Sequence, residues 1–162
     1  MIVQITGEIS EEHVKTLSTV AHLKPLVLID STGGNVHCAY QLVQIIQAEG
    51  LQVLGTNIVA SAAVFVLAAG SNRLLDLNAK LVMHPARYPI SALGLQGDVI
   101  TTPHLLALAE IAEQHKRDNV NYMKKMTSIP DEILQRSLTQ DVVFGPSDAL
   151  KWGIIDEIVR VV

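Results

Sequence analysis

Three residues of this chain carry side chains that can do covalent chemistry together: Ser61, His84 and Asp141. Ser61 lies between Ala60 and Ala62 in "NIVASAAVFVLAAG", where a strand pattern gives way to a helix pattern. A hydroxyl at a helix N-terminus meets unpaired amides and the positive end of the dipole, which favour an attacking alkoxide and the oxyanion it creates. The same place equally suits an ordinary N-cap, where serine is a preferred residue. His84 closes "KLVM" and precedes Pro85. An imidazole held at a strand end can pass a proton near neutral pH, or serve only as a structural hydrogen-bonding group. Asp141 precedes an apolar triplet, where a carboxylate can orient a histidine or lie solvated in a turn. Taken singly, none of the three decides.

A fourth feature is the pair Gly33 and Gly34 in "VLIDSTGGNVHCAYQLVQII". Adjacent glycines cost chain entropy and pack nothing, so their use implies a close approach to the backbone. The other histidines (His13, His22, His37, His104 and His115) fall on predicted helices or their edges. No pair of them has metal-ligand spacing with a carboxylate, and no metal or other cofactor is expected.

The elements that must position these residues alternate. Met1 to Thr6 reads as a strand and Gly7 as a turn, and Ser10 caps a helix whose first turn carries Glu11 and Glu12. Leu26 to Asp30 reads as a strand covered on both faces, and the helix after the glycines stops at Gly50. Leu51 to Val59 is a strand, Ala60 to Ala69 a buried helix, and Arg73 to Leu77 and Leu81 to Met83 two short strands. Pro85 to Pro103 is irregular, and Pro103 to Met126 is the longest helix, mixing apolar and polar residues as an oligomer contact does. Ser128 to Leu138 is a helix, Val142 to Phe144 a strand, Ser147 the cap of a short helix, and Ile154 to Val162 the last strand. Strands alternating with helices predict one α/β domain over residues 1–162, with mainly parallel pairing.

Composition narrows the class. Of 162 residues, 49% are hydrophobic and only 17% charged, and the mean hydropathy is +0.32. That is more apolar than a monomer of this size needs, which points to large subunit interfaces. A net charge of −4 and a pI near 5.8 give no footprint for nucleic acid or an anionic membrane. Cys38 is the single cysteine, so no intramolecular disulfide forms. The run Ile58 to Ala69 is too short to span a bilayer and the N-terminus reads as no signal peptide, so a soluble cytoplasmic protein is expected.

Four ordered segments carry a resemblance: "STGGNV" after a strand, "ASAAVF" opening a helix, "LVMHP" ending a strand, and "QDVVFGPSDALKWGIIDEI" near the C-terminus. Together they resemble the Clp-type serine peptidases, the ClpP family, over most of the chain. The resemblance implies the ClpP/crotonase-like α/β fold of repeated β-β-α units, with a mainly parallel sheet and a protruding handle formed by residues 85–126. It implies Ser61 as nucleophile, His84 as general base and Asp141 as the acid that orients the base. It further implies that the amides of Gly34 and Ala62 form an oxyanion hole, and that Asn35, Val36 and His37 form a strand along which an extended peptide binds. The implied partners are a peptide or unfolded protein substrate and further copies of the chain, possible as a ring.

The chain departs from the family at several points. Val59 stands where a small residue is common, Ala62 where methionine is usual, and "PARYPISALGLQG" replaces a glycine-containing substrate-binding strand. The loop before the long helix is longer than the family's. The first core strand lies almost at residue 1, without the axial segment that meets an ATPase, so such a partner is doubtful. A free-standing ring, a smaller oligomer, and a phage-type or other divergent Clp-like peptidase stay open. Two other classes compete. An acyl-CoA enzyme of the crotonase type shares the fold, although no glutamate is placed as its base, and a non-catalytic scaffold subunit retains fold and interfaces without chemistry. A Ser–Lys dyad finds no recognisable motif among Lys80, Lys116, Lys124 and Lys125.

Overall fold

The computed structural model describes residues 1–87 and 101–161. Seven strands form one sheet: β1 (Ile2–Ile9), β2 (Leu26–Gly34), β3 (Val53–Ala60), β4 (Arg73–Asp76), β5 (Lys80–Met83), β6 (Val142–Phe144) and β7 (Glu157–Val159). Six helices accompany them: α1 (Glu11–Val20), α2 (Val36–Glu49), α3 (Ala62–Ala68), α4 (Thr102–Met126), α5 (Asp131–Ser137) and α6 (Pro146–Lys151). All strand pairings are parallel except β5 with β6. The expected α/β class, with a mainly parallel sheet and a long helix, holds. The expected irregular Pro85–Pro103 segment and the loop of the handle fall largely on residues 88–100, outside the described residues.

The strand β3 does the work that matters for the site. Its first half, Val53–Gly55, pairs with β4, and its second half, Ile58–Ala60, pairs with β5. Between the halves Asn57 adopts a positive φ of 42°, which asparagine tolerates better than most residues. The Asp30 carboxylate on β2 accepts hydrogen bonds from Asn57 Nδ2 at 2.7 Å and from the Ile58 amide at 3.3 Å. This kink moves β3 from one neighbour to the next and carries its C-terminal end to β5. Ser61 follows directly.

The sheet corrects one expectation. Burial along β2 alternates: Val27, Ile29 and Ser31 are buried, whereas Leu26, Leu28 and Asp30 are half-exposed. The core of Val3, Ile5, Val27, Ile29, Val53, Val59 and Leu75 packs with apolar residues of α2 and α3. On alternate positions Ile2 and Val143 are exposed. An apolar run alone cannot distinguish a strand buried on both faces from one whose second face is only half covered.

Other boundaries shift for local reasons. Gly7 does not turn the chain; it sits inside β1 at φ 69°, where the pairing with β2 slips by one residue. Ser10 does cap α1, reinforced by His13, whose Nδ1 lies 3.2 Å from the Ser10 amide nitrogen. Gly145, not Ser147, caps α6, because Pro146 takes the first helical position. The last strand is short, Glu157–Val159. Among the described residues no helix is long and apolar enough to cross a membrane.

The C-terminal half is tied to the sheet by Arg73. Its Nε donates to Asp156 Oδ2 at 2.9 Å, and Nη1 donates to the Gly153 carbonyl at 2.8 Å and the Met126 carbonyl at 3.4 Å. It therefore ties β4 to the last carbonyl of α4 and to the approach to β7. Hydrogen bonding from Arg73 holds the Asp156 carboxyl below the usual carboxylate range, and backbone amides of Val161 and Asn78 do the same for Asp76. A lowered folded pKa means a stabilising contribution that is present above about pH 4 and lost as pH falls through the folded value. Urea midpoints are thus expected to fall on acidification below about pH 4, with a shallower fall in Asp156→Asn.

Candidate active site

Ser61 is placed by main-chain pairing rather than by its side chain. Its amide donates to the Val82 carbonyl at 2.8 Å, one step beyond the Ala60–Val82 pair of β3 and β5. It adopts φ 54° and ψ −125°, a conformation few non-glycine residues hold, at a sharp turn from β3 into α3. Its hydroxyl makes no capping bond to α3. The alternative reading of Ser61 as an ordinary N-cap therefore fails on geometry.

His84 follows the last residue of β5, and the antiparallel register of β5 with β6 ends at Met83 opposite Val142. One step further along that register, His84 stands opposite Asp141. The ends of β3, β5 and β6 thus gather Ser61, His84 and Asp141 at one rim of the sheet. His84 is half-buried and Asp141 exposed. The His84 Nδ1 lies 2.7 Å from the Pro85 carbonyl oxygen, and among the described residues no hydrogen bond links His84 to Ser61 or Asp141.

The two glycines divide their work. A Cβ on Gly33, at φ 96°, would stand 2.6 Å from Ser61 Cβ and 2.9 Å from the Ala60 carbonyl oxygen. A Cβ on Gly34, at φ 140°, would meet the Ile9 amide nitrogen at 2.6 Å. The close approach implied by the sequence is therefore double: the turn is pressed against the serine on one side and against β1 on the other. Ser31, buried in β2, holds it there. Its hydroxyl donates to the Gly7 carbonyl at 2.6 Å and accepts from the Gly33 amide at 3.1 Å. Sequence reading passed over Ser31; its place two residues before a Gly-Gly pair was the available signal.

The segment after the glycines differs from the expectation. Asn35, Val36 and His37 do not form a strand. Asn35 is the N-cap of α2, its side chain accepting from the Cys38 amide at 3.1 Å, and Val36 and His37 are in the first turn. Asparagine's preference for N-caps accounts for the early helix start. All three still line the cleft that contains Ser61 and His84, a space of about 890 Å³. Gly33, Gly34, Ala62, Arg87 and residues of α4 and α5 complete its walls.

Aromatic packing seats α4 against this cleft. Tyr122 crosses Phe65 edge-on at 5.6 Å between ring centroids and donates its hydroxyl to the Phe65 carbonyl at 3.0 Å. Tyr40 stacks with Phe65 and donates to Asn119 Oδ1 at 2.9 Å. Burial pushes both phenols above their ordinary pKa, so both stay neutral donors across the working range. Apart from Met123, α4 has no fully buried residue, so these contacts carry its attachment. Tyr122→Phe is expected to cost about 1 kcal/mol in urea unfolding, the worth of one hydrogen bond.

Comparison with known proteins agrees with this architecture. A model of the Clp protease family matches residues 1–162. An ATP-dependent Clp protease proteolytic subunit from Deinococcus radiodurans is 24% identical over 135 residues, covering 81% of this chain. The aligned stretch is 62% of that relative's length.

Proposed function

Because the chain belongs to the Clp protease family, we propose that it is a serine peptidase that cleaves peptide bonds through an acyl-enzyme. The observation that carries this reading is Ser61 itself: a strained, uncapped serine at a strand-to-helix turn, in the same cleft as His84. Strain of this kind costs about 1–3 kcal/mol and persists where function requires it.

In the proposed reaction Ser61 Oγ attacks the scissile carbonyl carbon while its proton passes to His84 Nε2. The carbonyl electron pair moves onto oxygen, where amides can stabilise it. Ala62 is the first residue of α3, so its amide belongs to the unpaired N-terminal set of that helix. Asn35 donates its amide to Ile9, and by the alternation of a parallel ladder the preceding Gly34 amide turns away from β1. These are the two proposed oxyanion donors. His84 then returns the proton to the leaving amine as the C–N bond breaks, and water repeats the cycle on the ester. Asp141 occupies the place where the resemblance expects the orienting acid. The substrate, a peptide or unfolded segment, lies across the first turn of α2 at Asn35, Val36 and His37.

The chain is also proposed to work as a homo-oligomer. Leu105, Leu106 and Ile111 of α4 are exposed, as are Ile2 and Val143 on the sheet, which is apolar surface suited to further copies. Sedimentation reports that assembly directly.

The test of the activity is mass analysis after exposure to a fluorophosphonate, with peptide mapping. One adduct per chain, on the peptide containing Ser61, is the expected result. No adduct, or an adduct elsewhere, overturns the peptidase reading and assigns the fold a scaffold role.

A further inference from the structure

In this chain His84 is held by its own neighbour. Its Nδ1 lies 2.7 Å from the Pro85 carbonyl oxygen. A carbonyl oxygen only accepts, so Nδ1 carries the proton, and in the neutral ring Nε2 keeps the lone pair. That is the tautomer a general base needs when Nε2 faces the nucleophile.

The carbonyl is well placed to do this. A residue that precedes proline is confined to extended backbone, which limits His84, and the proline ring fixes the φ of Pro85. Little backbone freedom remains between the imidazole and the oxygen it touches. Pro85, which on the sequence alone only removes a donor from the cleft, therefore gains a positive role. Asp141 is exposed, at the start of β6, and is not among the cleft-lining residues of the described structure.

We infer that the main-chain carbonyl of Pro85 is the positioning group for His84, and that the catalytic unit is a Ser61–His84 pair oriented by backbone instead of by Asp141. The inference rests on the peptidase reading for its consequence, though not for its geometry. The charged and titratable side chains that share the cleft with His84 include Glu8, His37, Arg87, His115, Lys116 and Asp118.

Asp141→Asn separates the two arrangements. An asparagine in place of a tautomer-holding aspartate slows reaction on the order of ten-thousandfold, because it favours the wrong ring tautomer. Here the rate of fluorophosphonate labelling is expected to fall less than about tenfold. Pro85→Gly keeps a carbonyl and frees the torsions that aim it; labelling is expected to slow about ten- to a hundredfold, as misplacement of a reacting group does. Nitrogen-15 NMR of the histidines supplies a readout independent of activity. The His84 Nδ1–H signal is expected to keep its position in Asp141→Asn and to move in Pro85→Gly. A thousandfold or greater loss on the order of a triad aspartate's in Asp141→Asn, or an Nδ1–H signal that moves with Asp141 and not with Pro85, overturns the inference. Absence of a Ser61 adduct on the unmutated protein would instead strike at the peptidase reading, and the NMR comparison would still decide which group holds the ring.

Discussion

Replacing Ser61 with glycine is expected to abolish labelling and hydrolysis and, in the same protein, to raise stability by about 1 kcal/mol. The two effects come from one residue with two conflicting duties. As a nucleophile it is irreplaceable, and loss of a catalytic serine costs on the order of a millionfold in rate. As a backbone position it sits at φ 54° and ψ −125°, where a Cβ is strained and a glycine is not. Relief of about 1–3 kcal/mol of strain is partly offset by the extra freedom glycine brings to the unfolded chain. The hydroxyl makes no capping bond, so little else is lost. Ser61→Ala keeps the Cβ and the strain, so it is expected to be equally inactive but no more stable than the natural chain. Urea unfolding at matched protein concentration checks this, since assembly adds concentration-dependent stability. Equal midpoints for the glycine and alanine variants would show that the turn is unstrained.

Much of this site was legible in the sequence because it depends on local chemistry. A serine between alanines at a strand-to-helix change, a histidine closing an apolar strand, and two glycines after another strand each signal their element and its end. The parts that stayed hidden depend on partners far along the chain. The kink at Asn57 that carries Ser61 to β5 is held by Asp30, and nothing near Asn57 announces it. Ser31 reads as a polar residue at a strand end until its bond to Gly7 shows it clamping the glycine turn. The start of α2 was misread because a family pattern of extended backbone was laid over "NVH", whereas Asn35 followed its own preference and capped a helix. The half-exposed face of β2 was hidden for a different reason: apolar residues there look the same whether a helix or another subunit covers them. The one-residue contact from His84 to Pro85 was the reverse case. It is entirely local, yet side-chain rotamer, not residue type, creates it.

Gly33→Ala tests whether the glycine turn is there for the serine. The added Cβ would stand 2.6 Å from Ser61 Cβ and 2.9 Å from the Ala60 carbonyl oxygen, distances that real Cβ atoms do not hold, so one side must move. Neither neighbour is the flexible end of a long side chain. The φ of 96° adds backbone strain for any residue with a Cβ. Overpacking and strain of this kind each cost about 1–3 kcal/mol, so a loss of about 3 kcal/mol is expected in urea unfolding. The displacement falls on Ser61 and on the adjoining amides of Gly34 and Ala62. Loss of one oxyanion donor slows acyl transfer by about a hundred- to a thousandfold, and labelling of Gly33→Ala is expected to drop at least that far. Gly50→Ala is the control that separates strain from contact. It too has a positive φ, 59°, at the end of α2, but a Cβ there meets nothing within 4 Å. It is expected to cost about 1 kcal/mol and to leave labelling unchanged. If Gly33→Ala proved as mild as Gly50→Ala in both measurements, the turn would not be pressed against Ser61, and the oxyanion role drawn for it would lose its structural basis.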